Sequence, residues 1–261
     1  MASNTEPKAE TACCPPTRVP ALVGPSEHEA QGAFEEIAEG LRAYVVKPKS
    51  GETSKRAVIL LNDIFGIATG RHVGVADTIA EGLGCTVVGP DFFRDDKLGH
   101  DQVGTPAMME FIKRHPLKDL QADLDKVYAW LKPEEVDSIG LLGFCYGAWM
   151  VFQESTRLAD PRIKAGANFH PSLGIEQVHG GSPETLAAGI KLPQLVCPSK
   201  DDPELVRPGG PIPADKATYE IFDLVNHGFM TQGDVKDETV HKCVEAGIKL
   251  CTEYFRGQLK A

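Results

Sequence analysis

The sequence predicts a three-layer α/β/α fold, in which helices cover both faces of a mostly parallel central sheet. Short apolar runs typical of buried strands alternate with stretches of helical periodicity from about residue 41 onward. Residues 70–83 have apolar side chains at helical spacing and lie between two such runs, which indicates a βαβ unit with parallel strands. The 261 residues show no internal repeat and no dividing linker. We therefore expect a flexible N-terminal arm at 1–30 and a single domain at 31–261.

Each element of this fold follows from a local pattern. Residues 41–46 read as an alternating strand, whereas 57–61 and 86–88 are short apolar runs of the fully buried kind. Another apolar run begins at Ile139 and breaks at a glycine-rich turn. The remaining predictions are helices at 105–114, 117–132 and 148–158, strands at 163–169, 192–197 and 217–223, and a last helix to about residue 255 with Asp234 as its N-cap.

The composition argues against several classes of function. The chain has 27 basic and 37 acidic residues and a formal net charge of −10, which disfavours nucleic acid and membrane surfaces as partners. No apolar run approaches the roughly 18–20 residues that cross a bilayer, and the N-terminus lacks the apolar core of a signal peptide, so we expect a cytoplasmic protein. The seven cysteines have the spacing of neither a zinc site nor a disulfide framework. Nothing else supports lipidation or metal binding at the adjacent Cys13 and Cys14.

The most informative segment is 139–150, where the apolar strand breaks at a turn before a helix-compatible stretch. The turn contains Gly143, Cys145 and Gly147 in a Gly-x-Cys-x-Gly pattern. This strand–turn–helix arrangement presents the nucleophile of α/β-hydrolases, and glycine is needed on either side because the neighbouring strand and helix approach closely. A position at a helix N-terminus also favours a thiolate. The pattern predicts Cys145 as a nucleophile.

A cysteine nucleophile needs a base to accept its proton and an acid to orient that base. In this class of fold the order along the chain is nucleophile, acid, base. The histidines that follow Cys145 are His170, His179, His227 and His241. We predict His227 as the base, because it alone both follows the acid candidates and lies just after a predicted strand.

Two adjacent aspartates compete for the role of the acid. Asp202 precedes Pro203, an arrangement common at helix N-termini, which gives Asp202 a capping role and favours Asp201 as the acid. Asp202 remains the alternative.

The oxyanion hole is expected to use the backbone N–H of Tyr146, the residue after the nucleophile, and that of Ile64, in the loop after an early strand.

The chain resembles the dienelactone hydrolase family, and in particular its eukaryotic members, over about residues 35–258. The matching motifs are Asp-Ile-Phe-Gly at 63–66, Pro-Asp-Phe-Phe at 90–93, Gly-Phe-Cys-Tyr-Gly at 143–147, Phe-His-Pro-Ser at 169–172, Ser-Lys-Asp at 199–201 and His-Gly-Phe at 227–229. The resemblance implies a triad of Cys145, His227 and Asp201, an oxyanion hole from the Ile64 and Tyr146 amides, and hydrolysis of cyclic or activated esters.

The chain departs from the bacterial members at two positions. Asp63 stands where they have a glutamate that contacts the resting thiol, and Thr231 stands where they have an arginine that binds the substrate carboxylate. Dienelactone itself is therefore not the expected substrate. The residues to which we assign substrate contacts are Asp63, Phe65, Arg94, His170 and Phe229.

The leading hypothesis is a cysteine-dependent hydrolase of small esters or lactones that forms an acyl-thioester and requires no cofactor or metal. Its partner would be a small-molecule substrate, and the protein would be a monomer or a homodimer. The alternatives are a non-catalytic or redox-sensing protein that retains the fold, and a thioesterase that uses the same residues.

Overall fold

Eight strands form one sheet in the part of the chain that the computed structural model describes, residues 28–48 and 54–260. The strands are β1 (Ala33–Ala38), β2 (Leu41–Val46), β3 (Arg56–Leu61), β4 (Thr86–Pro90), β5 (Ser138–Phe144), β6 (Ile163–Phe169), β7 (Gln194–Cys197) and β8 (Ala217–Tyr219). Their order across the sheet is β1-β2-β4-β3-β5-β6-β7-β8. The pairs β1–β2 and β2–β4 are antiparallel and all the others are parallel, which confirms the prediction of a mostly parallel sheet.

Helices cover both faces of this sheet. They are α1 (His72–Leu83), α2 (Pro106–Arg114), α3 (Leu117–Trp130), α4 (Tyr146–Arg157), α5 (Ile175–Val178), α6 (Pro183–Ala188) and α7 (Glu238–Gln258). Alternate residues of β3 belong to different cores, as expected for a strand whose successive side chains point to opposite faces. Val58 and Leu60 pack with α1 and α7, whereas Ile59 and Leu61 pack with α2, α3 and α4. The predicted three-layer architecture is confirmed.

The carboxyl ends of the central parallel strands are aligned. Leu61 of β3 pairs with Gly143 of β5, and Phe144 pairs with Phe169 of β6, which in turn pairs with Cys197 of β7. The loops that follow β3, β5, β6 and β7 therefore begin side by side at one edge of the sheet. In open parallel sheets this is the edge at which ligands bind.

Several details differ from the sequence-based expectations. Strand β1 differs from the prediction because it is an edge strand in which only Ile37 is buried, so it has no apolar run. Strand β8 ends at Tyr219, and only an isolated bridge between Ser199 and Phe222 continues the pairing. Helix α7 is capped by Asp237 rather than Asp234, since the Asp237 carboxylate accepts hydrogen bonds from the backbone N–H groups two and three residues later.

Most of the predicted N-terminal arm, including Cys13 and Cys14, lies outside the described residues. Within the described ranges, no helix combines the length and apolar character needed to span a bilayer.

Candidate active site

Cys145 occupies a strained turn between β5 and α4. Its φ is 52° and its ψ is −108°, a conformation that side chains other than glycine rarely adopt and that costs about 1–3 kcal/mol. A Cβ atom on Gly143 would lie 2.6 Å from the backbone nitrogen of Ala148, and one on Gly147 would lie 2.0 Å from the carbonyl oxygen of Leu61. The turn therefore closes only because both flanking positions are glycine, for the reason inferred from the sequence.

The ring of His227 is held by the carboxylate of Asp202. The Nδ1 atom of His227 lies 2.7 Å from Oδ1 of Asp202, and both side chains are buried. The other carboxylate oxygen accepts hydrogen bonds from the backbone N–H and the hydroxyl of Ser199. Burial alone would raise the pKa of Asp202, but the attraction of His227 and these hydrogen bonds outweigh it and leave the pKa below its usual value.

The preference for Asp201 as the group that orients His227 is wrong. The carboxylate of Asp201 accepts hydrogen bonds from the backbone N–H of His227, at 2.7 Å, and from the hydroxyl of Ser199, at 3.0 Å. The capping role given to Asp202 is also wrong, because Pro203 is the N-cap of the 3₁₀ turn at Glu204–Val206. Asp202 is thus available to the imidazole.

Ser172 is a site residue that sequence reasoning missed. Its hydroxyl oxygen lies 3.2 Å from the Sγ atom of Cys145 and 3.4 Å from Nε2 of His227. Its backbone N–H also donates to the carbonyl oxygen of Cys145, at 3.2 Å. The available signal was the Phe-His-Pro-Ser motif at 169–172, in which only the histidine was considered.

His170 and Phe229 pack beside the catalytic candidate His227. The His170 ring is fully buried, with its centroid 4.9 Å from that of His227 and 5.6 Å from that of Phe229. Neither ring nitrogen of His170 has a hydrogen-bond partner among the described residues. Burial, assisted by the neighbouring His227, holds the pKa of His170 well below its usual value, so this ring is neutral. These contacts show that both rings pack around His227, and the substrate contacts expected of them stay predictions.

The carboxylate of Asp63 holds two loops together, and its expected contact with substrate stays a prediction. One carboxylate oxygen accepts from the backbone N–H of Phe65, at 3.0 Å. The other accepts from the Thr231 hydroxyl, at 2.7 Å, and from the side-chain amide of Gln232, at 2.8 Å. The backbone N–H of Asp63 donates to Nε2 of the buried His72. The loop after β3 is thereby joined to the loop that carries His227.

Arg71 strengthens the same junction. Its guanidinium group donates hydrogen bonds to the carbonyl oxygens of Phe229 and Gly233, and its backbone N–H donates to the carbonyl of Thr231. Burial lowers the pKa of Arg71 from its usual value. Five bonds from Asp63 and Arg71 therefore anchor the segment at 229–233, directly after the candidate base.

The guanidinium group of Arg94 is engaged with the protein itself. Its guanidinium donates to the carbonyl oxygens of Gly40 and Phe92 and to the carboxylate of Asp123, which ties it to the β1–β2 turn and to α3. The expectation that Arg94 binds substrate stays a prediction. Phe65, which follows Ile64 in the loop after β3, stacks on the ring of His100 with centroids 3.9 Å apart.

The two predicted oxyanion donors lie near each other, because Gly147, next to Tyr146, packs against the backbone of Leu61 and Asn62, just before Ile64. Tyr146 is the first residue of α4, where backbone N–H groups point out of the helix. Ile64 is buried in the loop after β3, and within the described ranges its N–H has no acceptor. The same part of the chain contains no group of three or more His, Cys, Asp or Glu side chains arranged to hold a metal ion.

Comparisons with known proteins agree with this architecture. A sequence model of the dienelactone hydrolase family matches residues 41–258. The chain is 30% identical to the carboxymethylenebutenolidase homolog of Mus musculus over 144 residues, which cover 55% of this chain and 54% of that protein. It is 30% identical to Hydrolase pyvD of Aspergillus violaceofuscus over 227 residues, covering 83% of this chain and 85% of that protein. The first relatives are thus matched over about half their length.

A similar fold occurs in a solved structure, a cold-adapted esterase from an Arctic intertidal metagenomic library. The TM-score is 0.63 at 16% sequence identity, and the match covers 92% of this chain and 100% of the esterase. At this level of identity the likeness concerns the fold.

Replacing Gly147 by alanine is expected to destabilise the protein by at least about 1–3 kcal/mol, because the new methyl group would collide with backbone atoms of Leu61 and Asn62. Urea unfolding followed by circular dichroism measures the loss. Gly257→Ala in α7 is the matched control: its methyl group meets no atom within 4 Å and should stabilise the helix slightly. Equal stabilities for the two variants would contradict the close approach at the turn.

Proposed function

The chain belongs to the dienelactone hydrolase family, and on this premise we propose that it hydrolyses small esters or lactones with Cys145 as the nucleophile. The observation that carries the proposal is a continuous line of buried contacts from the thiol of Cys145 through Ser172 and His227 to Asp202. It contains a nucleophile, a base and an orienting acid at the carboxyl edge of a parallel sheet, which is the composition of a catalytic triad.

The tautomer of His227 follows from its contact with Asp202. A carboxylate can only accept a hydrogen bond, so Nδ1 carries the proton and Nε2 is left to accept one. This is the protonation state that a base needs in order to receive the thiol proton of Cys145. The low pKa of Asp202 keeps its carboxylate charged, which stabilises the imidazolium that then forms.

The reaction would proceed in two halves. The Cys145 thiolate attacks the ester carbonyl, and the N–H groups of Ile64 and Tyr146 stabilise the oxyanion. When the tetrahedral intermediate collapses, the C–O bond breaks, His227 protonates the leaving alkoxide and an acyl-thioester remains on Cys145. His227 then removes a proton from a water molecule that attacks the thioester, and the C–S bond breaks to release the acid and the thiol.

The preferred substrate would be uncharged. Thr231 replaces the carboxylate-binding arginine of bacterial relatives, and its hydroxyl is engaged by Asp63. Arg71 and Arg207, which contact the loops of the site, use their guanidinium groups on backbone carbonyls and, for Arg207, on Asp223. These cations organise the loops, and the formal net charge of −10 further disfavours anionic substrates.

Cys145→Ala is expected to lower the turnover of p-nitrophenyl acetate and of small lactones by about a thousandfold or more, because the nucleophile is removed. The assay is the initial rate of the purified full chain. Cys243→Ala, which removes a half-buried thiol on α7, is the matched control and should retain the original rate. Undiminished hydrolysis by the Cys145 variant would end the proposal.

Asn substitutions at the two aspartates should have unequal effects. Asp202→Asn is expected to lower kcat by about 10³- to 10⁴-fold, because an amide that donates to Nδ1 favours the wrong tautomer of His227. Asp201→Asn should cost less than about tenfold, since an amide oxygen can still accept from the His227 backbone N–H. Steady-state kinetics on both variants measure kcat. A larger loss of kcat for Asp201→Asn than for Asp202→Asn would make Asp201 the catalytic acid.

A matched substrate pair tests the preference for uncharged acyl groups. We expect kcat/KM for p-nitrophenyl butyrate to exceed that for the p-nitrophenyl monoester of succinic acid by at least about tenfold, because the second carries a carboxylate on a chain of equal length. Both rates are measured at several salt concentrations. Salt screens repulsion by the protein's net charge, so a preference that persists at high salt belongs to the binding site. Faster hydrolysis of the succinate ester would reveal a cationic subsite.

A further inference from the structure

We propose that the hydroxyl group of Ser172 relays the proton from Cys145 to His227 and then stabilises the resulting thiolate by donating a hydrogen bond to it. The inference deepens the proposed function, on which its catalytic meaning rests. The ionisation of Cys145 that it describes, however, can be measured without any substrate.

The distances place one hydroxyl in contact with both reacting groups. The Oγ atom of Ser172 is 3.2 Å from Sγ of Cys145 and 3.4 Å from Nε2 of His227, and the side chain is almost completely buried. A serine hydroxyl has one proton to donate and two lone pairs that accept, so it can donate to one neighbour while it accepts from the other. A methyl group at this position could do neither.

The protons balance in both charge states. In the neutral state the thiol of Cys145 donates to Oγ of Ser172, and the hydroxyl donates to Nε2 of His227, whose Nδ1 carries a proton because it faces Asp202. In the transfer the S–H bond breaks as a new O–H bond forms, and the original O–H bond breaks as the N–H bond forms. The serine is unchanged at the end, and its remaining hydroxyl proton points to the thiolate.

The backbone around Ser172 is fixed from several sides. The preceding residue is Pro171, and His170 adopts a φ of 41°, a second strained position beside that of Cys145. The His170 N–H donates to the carbonyl of Cys197, the Ser172 N–H donates to that of Cys145, and the Ser172 carbonyl accepts from the N–H of Ile175. The chain leaving β6 is therefore turned so that the hydroxyl reaches the thiol, which is the use that strained residues have at functional sites.

The titratable groups around His227 do not compete with it for the proton of Cys145. His170 contacts His227 but stays neutral, because its burial lowers its pKa well below the usual value. The carboxylate of Asp202 stays charged and is already bonded to His227, while that of Asp201 is bonded to backbone and to Ser199. The proton that leaves Cys145 thus has His227 as its acceptor in both the direct and the relayed geometry.

The test measures how alkylation of Cys145 by iodoacetamide depends on pH, with the modified peptide followed by mass spectrometry in the full chain. For Ser172→Ala we expect the apparent pKa of the Cys145 thiol to rise by about one unit, which makes alkylation at neutral pH about tenfold slower. Ser172→Thr, which keeps the hydroxyl, should restore the wild-type profile. Ser182→Ala, at the exposed N-cap of α6, is the control for a serine substitution outside the site.

An alkylation profile of Ser172→Ala that coincides with that of the wild type would overturn the relay. So would a Thr variant displaced as far as the Ala variant. Circular dichroism verifies folding, and Ser172→Gly replaces the Ala variant if that chain does not fold. A displaced profile in a protein that turns over no ester or lactone would leave the relay standing and remove the proposed hydrolase function instead. If the protein hydrolyses esters but the alkylation profile of Ser172→Ala equals that of the wild type, the relay is overturned and the proposed hydrolase function stands.

Discussion

The close approach of helix α4 to strand β3 is the constraint on which the site depends. Gly147 lies so near the carbonyl of Leu61 that no side chain fits between them, and this lets the chain reverse from β5 into α4 within a single residue. That residue, Cys145, takes up the strain with a positive φ. Its side chain is consequently presented at the carboxyl edge of the sheet, where the loops from β3, β6 and β7 also begin. The free energy for holding this conformation comes from the two packed cores on either face of the sheet.

Buried charges in this protein work mainly as connections between loops. Asp63 joins the loop after β3 to the segment after His227, and Arg71 anchors the same segment. Arg207 holds the loop of Asp202 through backbone carbonyls. A buried carboxylate is tolerated only when its oxygens are satisfied by hydrogen bonds, and Asp63 meets this condition with donors from both loops. Thr231 supplies one of these donors, so its hydroxyl binds a carboxylate of the protein itself.

Contacts at both ring nitrogens and with a neighbouring ring orient the imidazole of His227. Asp202 fixes one ring nitrogen, Ser172 contacts the other, and the neutral ring of His170 packs against it. Asp201 fixes the backbone of the same residue. Adjacent carboxylates therefore have separate tasks, one on the ring and one on the main chain, and a shared contact with the Ser199 hydroxyl holds them in place. The proposed role of His227 as a base would benefit from such pre-organisation, because less reorganisation is needed when an imidazole becomes charged.

The sequence by itself determined the features that follow from local physics. Apolar periodicity indicated the parallel strands and the helices between them. The glycines on either side of Cys145 indicated the turn, and the order of nucleophile, acid and base along the chain indicated His227. Only the tertiary structure decided between Asp201 and Asp202, because neighbouring carboxylates are chemically identical until a fold gives each a different partner. It also revealed the contacts of Ser172, which meets a thiol 27 residues away, and of Asp63, which bonds a hydroxyl 168 residues away. Contacts of this kind depend on strand register and on the path of each loop, and no local pattern in the chain records either.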